Sequence, residues 1–236
     1  NGIVTIKAGA AQSLVDEVVK LPNAKADGLV SENGVIKLIS NSGSIQANKI
    51  KINSGSNGAT EISGTLNSDN KEGKGGTIEI TAKDIDVNSA TISADGKTGG
   101  GKVLVGGDWQ GTGDLLQATY LDIDSNSKIT ANALTSGSGG TIVAWSDIKN
   151  SNSFTRVSGT LEAKGIDESG GQIETSGASI NTDGIRVNAG STSGPSGLWL
   201  IDPYDYTINS SAATNITNAL NAGTNVTIQT SANSSS

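Results

Sequence analysis

The chain has 236 residues, a formal charge of −7, 32 glycines, three prolines, and neither cysteine nor histidine. The missing histidines exclude Ser–His–Asp and Cys–His catalysis and most zinc sites. The acidic balance, with Arg156 and Arg186 as the only arginines, denies nucleic acid its basic footprint. Aromatics make up 3% of the chain and no disulfide can form, so a core must be a narrow column of Ile, Val, Leu and Ala.

Asn1-Gly2-Ile3 opens no signal peptide, so a secreted form is expected to begin upstream. Ser13-Leu14-Val15-Asp16 has the form of a capping box, and Leu14, Val15, Val18 and Val19 share one face, which predicts a short helix. Lys49-Ile50-Lys51-Ile52 and Ile78-Glu79-Ile80-Thr81 are apolar at every second position, and so are Ile85 and Val87 between Asp84, Asp86 and Asn88. Period two places one face inward and one outward.

Four segments repeat a double glycine, one residue and a short apolar strand: Gly75-Gly76-Thr77-Ile78, Gly100-Gly101-Lys102-Val103, Gly139-Gly140-Thr141-Ile142 and Gly170-Gly171-Gln172-Ile173. About ten residues before each comes a shorter cue. The cues are Gly64-Thr65-Leu66, Ala90-Thr91-Ile92, Ser127-Lys128-Ile129 and Gly159-Thr160-Leu161. The first glycines lie 25, 39 and 31 residues apart. One coil of a solenoid takes roughly 20 to 30 residues. The spacing of 39 therefore reads as one coil with an insertion, or as nearly two coils. Asp84-Ile85-Asp86 recurs as Asp122-Ile123-Asp124, and Gly, Asn and Ser at the corners supply residues tolerant of φ > 0. A second helix is predicted over 212–220, with Ala213, Ile216 and Leu220 on one face and Gly223 as its stop. A strand over 225–230 and a polar tail over 231–236 follow.

Parallel strands normally need helical crossovers, and this chain has too few helix signals to supply them. A solenoid needs none. The predicted fold is all-β: a single-stranded parallel β-helix with one or two short flanking helices. Its shaft covers 1–208, and 209–236 is a continuing helix and strand segment, expected to be cut short. About eight to ten coils, at roughly 4.8 Å each, would span about 40 to 50 Å.

Four further segments occur in a fixed order. They are Gly106-Gly107-Asp108-Trp109-Gln110-Gly111, Val143-Ala144-Trp145-Ser146-Asp147, Gly171-Gln172-Ile173-Glu174-Thr175-Ser176-Gly177 and Gly197-Leu198-Trp199-Leu200-Ile201-Asp202-Pro203-Tyr204. This order resembles large exoproteins of the filamentous-haemagglutinin type, and the resemblance covers most of the chain. It implies a right-handed β-helix exported by two-partner secretion through an outer-membrane β-barrel transporter. Such a protein is displayed on the bacterial surface or released, and it serves as an adhesin that meets a host glycan or surface receptor. A polysaccharide-acting β-helix enzyme and a self-associating filament or scaffold subunit are the alternative readings. No cofactor, no nucleic acid partner and no catalytic residue is expected.

Trp109, Trp199, Tyr204 and Tyr206 are the ligand-contact candidates, because an aromatic face suits sugar C–H surfaces. Packing over glycine-rich coils is the favoured reading for the tryptophans, above all for Trp145 within an alternating strand. Asp84, Asp86, Asp122 and Asp124 could stack into a carboxylate ladder for Ca²⁺. A solvated charged face is the favoured alternative. Glu79, Asp84, Asp86 and Asp108 are the acids a glycosidase would draw on, but two arginines and no histidine weigh against an enzyme. Asn209, Asn215, Asn225 and Asn233 head Asn-x-Ser/Thr sequences.

Overall fold

A computed structural model describes the strands Ile3–Lys7, Lys25–Asp27, Leu29–Glu32 and Val35–Leu38, then the continuous chain 43–230. The strands wind into three sheets. Sheet I has eight strands: Ile3–Lys7, Lys49–Asn53, Thr77–Thr81, Lys102–Val105, Thr141–Trp145, Gln172–Gly177, Leu198–Pro203 and Asn225–Ile228. Sheet II has seven, in the order Leu29–Glu32, Val35–Leu38, Ala59–Ile62, Asp84–Val87, Tyr120–Ile123, Phe154–Val157, Ser179–Asn181. Sheet III also has seven, Lys25–Asp27, Ser44–Gln46, Thr65–Asn67, Thr91–Ser93, Lys128–Thr130, Thr160–Glu162 and Arg186–Asn188. Each strand pairs with its counterpart one coil away. The architecture is the parallel β-solenoid that the repeats predict, with the double glycines leading into sheet I and the shorter cues forming sheet III.

Register follows from period two. Ile50, Ile78, Val103, Ile142, Ile173 and Trp199 align across sheet I, and all are buried. Ile45, Leu66, Ile92, Ile129, Leu161 and Val187 do the same across sheet III. Each such side chain contributes roughly 1.5–3 kcal/mol by leaving water. A one-residue slip would turn a whole column outward, so the columns lock the register. Trp199 takes the place of an isoleucine in this stack, and its indole N–H donates to Thr175 Oγ1 at 3.0 Å.

The corner glycines serve close approach, not φ > 0. A Cβ on Gly75, Gly100, Gly139 or Gly170 would lie 1.8–2.0 Å from the carbonyl oxygen of Ala94, Ala131, Ala163 or Ala189, each on the next coil. None of these four glycines has positive φ. The expectation of φ > 0 holds elsewhere, as at Gly99, Gly137 and Gly184.

The core positions Ile50, Ile78, Val103, Ile142, Ile173, Trp199 and Val226 pair in succession, so the coils take 28, 25, 39, 31, 26 and 27 residues. The coil of 39 is one coil with an insertion: residues 106–119 separate Val105 from Tyr120, where only two residues separate Thr81 from Asp84. Among the described residues six successive turns carry a strand in all three sheets, fewer than the eight to ten expected. The shortfall arises because this insertion uses chain without adding a coil, because the turn after Leu198–Pro203 carries a helix in place of strands in sheets II and III, and because the strands described between Lys7 and Val35 add no further coil. Within that segment Leu29–Glu32 and Lys25–Asp27 pair antiparallel with Val35–Leu38 and Ser44–Gln46. They form the end strands of sheets II and III, laid antiparallel on the first coil.

The predicted second helix is Ser210–Asn221, capped by the Asn209 side chain on Ala212 N–H, with Gly223 beyond it at φ 77°. Its buried stripe is Ala212, Asn215 and Ala219, with Ile216 packed against the core. The apolar face expected from Ala213 and Leu220 is exposed instead, because Asn215 turns inward to donate to Thr182 O at 2.7 Å. The helix expected near Ser13 and the tail 231–236 with Asn233 lie outside the described residues.

Candidate functional site

Alternation fails at one place on the outer face of sheet I. Lys51, Glu79, Leu104, Val143, Glu174 and Leu200 form an outward column by register. Its middle members are nonetheless buried, Leu104 at 2%, Val143 at 0% and Glu174 at 0% exposure. The insertion 106–119 folds back over them as a strap. Its Trp109 and Leu115 pack on Leu104, Val143 and Trp145.

The strap owes its path to glycine. Gly106, Gly111 and Gly113 have φ of 83°, 60° and 73°, where L side chains are strained. Trp145 lies against it. A Cβ on Gly107 would stand 2.4 Å from Trp145 Cδ1, and one on Gly111 2.4 Å from Trp145 Cζ2. Asp108 caps the short 3₁₀ turn Trp109–Gly111 by accepting from Trp109 N–H at 2.8 Å, and it also takes Lys102 Nζ at 3.0 Å. The Trp145 indole N–H donates to Gln117 Oε1 at 3.0 Å.

Beneath the strap Glu174 accepts from Gln110 N–H at 2.8 Å and from the Ser176 hydroxyl at 2.9 Å. Burial pushes its carboxyl up to about 7, with Asp202 and Asp108 adding to the rise, and these two hydrogen bonds hold it back only in part. Asp202 aligns with Ser176 and Trp145 across three coils, and Gln229 Nε2 donates to it at 3.2 Å. Gly177 leaves room for Ser146 Oγ, which a Cβ there would meet at 2.4 Å. The four ordered motifs thus converge on one cluster, although Gln110 and Glu174 are 64 residues apart.

A buried acid near pKa 7 is the pattern of a general acid. Here both oxygens are engaged and the group has no solvent access, so its chemistry is to hold the strap and to take or lose a proton near neutrality. Sequence reasoning missed Glu174. The signal was available in the runs Lys102-Val103-Leu104-Val105 and Thr141-Ile142-Val143-Ala144, whose outward Leu104 and Val143 are apolar and need a cover.

The other predicted residues disperse. Trp199 is fully buried, so its ring offers no face to a ligand; Trp109 is half-buried beneath its own loop. Tyr204 is 42% exposed, whereas Tyr206 packs on the core with its hydroxyl 3.1 Å from Thr182 Oγ1. Trp199, Tyr204 and Tyr206 therefore form no shared surface. Asp86 and Asp122 do stack in register, but the calcium ladder does not assemble. Asp122 is taken by Arg156, Asp84 pairs with Lys83 at 3.2 Å, and Asp124 bonds Ser127 Oγ at 2.6 Å and Ser89 N–H at 2.9 Å. Among the described residues no group of three or more acidic side chains could hold a metal ion. Glu79 holds Lys49 at 3.0 Å and Lys51 at 2.7 Å. Burial would raise its pKa, and these lysines outweigh burial and lower it. Asn215 is 8% exposed and Asn209 caps the helix, which leaves exposed Asn225 as the described Asn-x-Ser/Thr side chain nearest to free, with one bond to Ser196 O at 3.3 Å. Compared with protein-family models and with curated proteins, the chain matches none, so the family reading stays with the four motifs.

Proposed function

We propose that this chain is a shaft segment of a secreted bacterial surface adhesin of the filamentous-haemagglutinin type. It is a non-enzymatic stalk, wound right-handed as parallel crossovers generally are. It leaves the cell through an outer-membrane β-barrel transporter and stands outside it, holding a host- or cell-surface-binding face away from the membrane. One observation carries the reading. Three of the four ordered motifs build and seat one strap, the fourth stacks in register on the third, and the strap seals a stack already satisfied coil by coil, as a load-transmitting rod requires. The test is labelling of intact producing bacteria with antibodies raised against this segment. Labelling without permeabilisation is expected. Labelling that appears only after permeabilisation overturns the reading.

A further inference from the structure

The strap is fastened at its base and tied down along its length. Ala118 N–H donates to Gly106 O at 2.8 Å, which joins its two ends. Between them it is held to sheet I by Lys102 on Asp108, Trp145 on Gln117 and Glu174 on Gln110. The Glu174 tie falls on the 3₁₀ turn, where Gln110 has φ 51°, a left-handed conformation strained for a residue with a side chain. Gly111 and Gly113 follow at positive φ, and small residues of this kind are the ones that absorb a backbone rotation.

The charge that surrounds this tie is mostly negative. Glu174 is the one charged side chain on its own strand, and the adjacent strand Thr141–Trp145 carries none. Leu198–Pro203 brings Asp202, the strap brings Asp108 and the exposed Asp114, and Lys102–Val105 brings Lys102, whose Nζ is 3.0 Å from Asp108. Burial raises the Glu174 pKa, the bonds from Gln110 and Ser176 lower it, and Asp202 and Asp108 raise it again. A carboxyl that water can reach loses the burial penalty. The closed strap therefore binds this proton more tightly than a lifted strap does, and acid favours closure. Leu104, Val143 and Trp145 beneath the strap keep the closed state in the majority, so ionisation sets how often the strap opens rather than whether it closes.

We propose that the strap is a pH-sensitive cover, which opens more often as pH rises through neutrality because an ionised Glu174 reaches water only when the turn at Gln110 lifts, and which then uncovers Leu104, Val143 and Trp145. The switch does not depend on where the chain is displayed, so this test and the surface labelling fail separately. The test is hydrogen exchange of the full chain followed by mass spectrometry from pH 5 to pH 8, with each rate corrected for the intrinsic effect of pH. Peptides covering 106–119 are compared with those covering 141–145 and 172–177. The strap is expected to be less protected than the strands, and its protection to fall about ten- to hundredfold by pH 8. Glu174→Gln should hold the strap at its acid level throughout. Asp202→Asn, which removes an acid beside Glu174 and keeps the carboxyl itself, should make the fall smaller and keeps the test decisive if Glu174→Gln misfolds by circular dichroism. Strap protection equal to that of the strands at every pH, protection that is flat with pH in the unaltered chain, or an undiminished fall in either folded variant overturns the proposal.

Discussion

Replacing Glu174 by glutamine should stabilise the protein at alkaline pH and leave it nearly unchanged in acid. The buried carboxyl has its pKa raised from 4.5 to about 7. The folded state thus holds this proton more tightly than the unfolded chain does. Its contribution is fully present below the unfolded value, declines as pH rises from 4.5 to 7, and is a constant cost above that. At about 1.4 kcal/mol per pKa unit, the cost at pH 8 is roughly 3 kcal/mol. The amide has the same shape. Its oxygen can accept from Gln110 N–H, and its NH₂ can donate to Ser176 Oγ, whose hydroxyl hydrogen rotates to suit. For a domain of this size, roughly 3 kcal/mol corresponds to about 6–12 °C in melting temperature. Circular dichroism melts of both proteins from pH 5 to pH 8 measure it. Asp86 and Asp95 are also raised, by burial first, and Asp124 is lowered, but all three are present in both proteins and cancel in the difference. Two melting curves that stay parallel across the range, or a variant less stable at pH 8, would refute the reasoning.

Gly107→Ala should lift the strap, because its Cβ would stand 2.4 Å from Trp145 Cδ1; a loss of about 1–3 kcal/mol by urea unfolding and a red-shifted tryptophan emission are expected. Gly139→Ala should cost far more than Gly184→Ala. The first drives a Cβ to 2.0 Å from the Ala163 carbonyl oxygen, and the second meets only Ser158 O at 4.0 Å, an ordinary contact, and loses about 1–2 kcal/mol through its φ of 81°. Deleting residues 77–101 joins Gly76 to Lys102, which occupies the position of Thr77 one coil on. The shortened chain should keep its β-type circular dichroism and lose about 5 Å of length by small-angle scattering, whereas a deletion of half that length should unfold it.

Much of the solenoid was legible because its determinants are local and periodic. Alternation in Ile78-Glu79-Ile80 and the double glycines before each sheet I strand are readable along the chain. What glycine does at those corners was not, since the carbonyl it must avoid belongs to Ala94 or Ala131, on the next coil. The helix 210–221 was found by spacing, but its buried face was misassigned because Asn215 outcompetes Ala213 and Leu220 for the core through its bond to Thr182. The four motifs could be read in order, yet their convergence depends on stacking. Phe154 and Tyr120 meet for the same reason, 34 positions apart in sequence and directly paired in register.

Reach is measured in coils. The eight strands of sheet I span seven spacings, or about 34 Å, whether a given coil holds 25 residues or 39. Residues spent in the strap thicken the rod without lengthening it. Such a lineage can elaborate its flank and keep its height, or change its height in whole coils and keep its flank. Two traits that share one chain are thereby free to evolve apart.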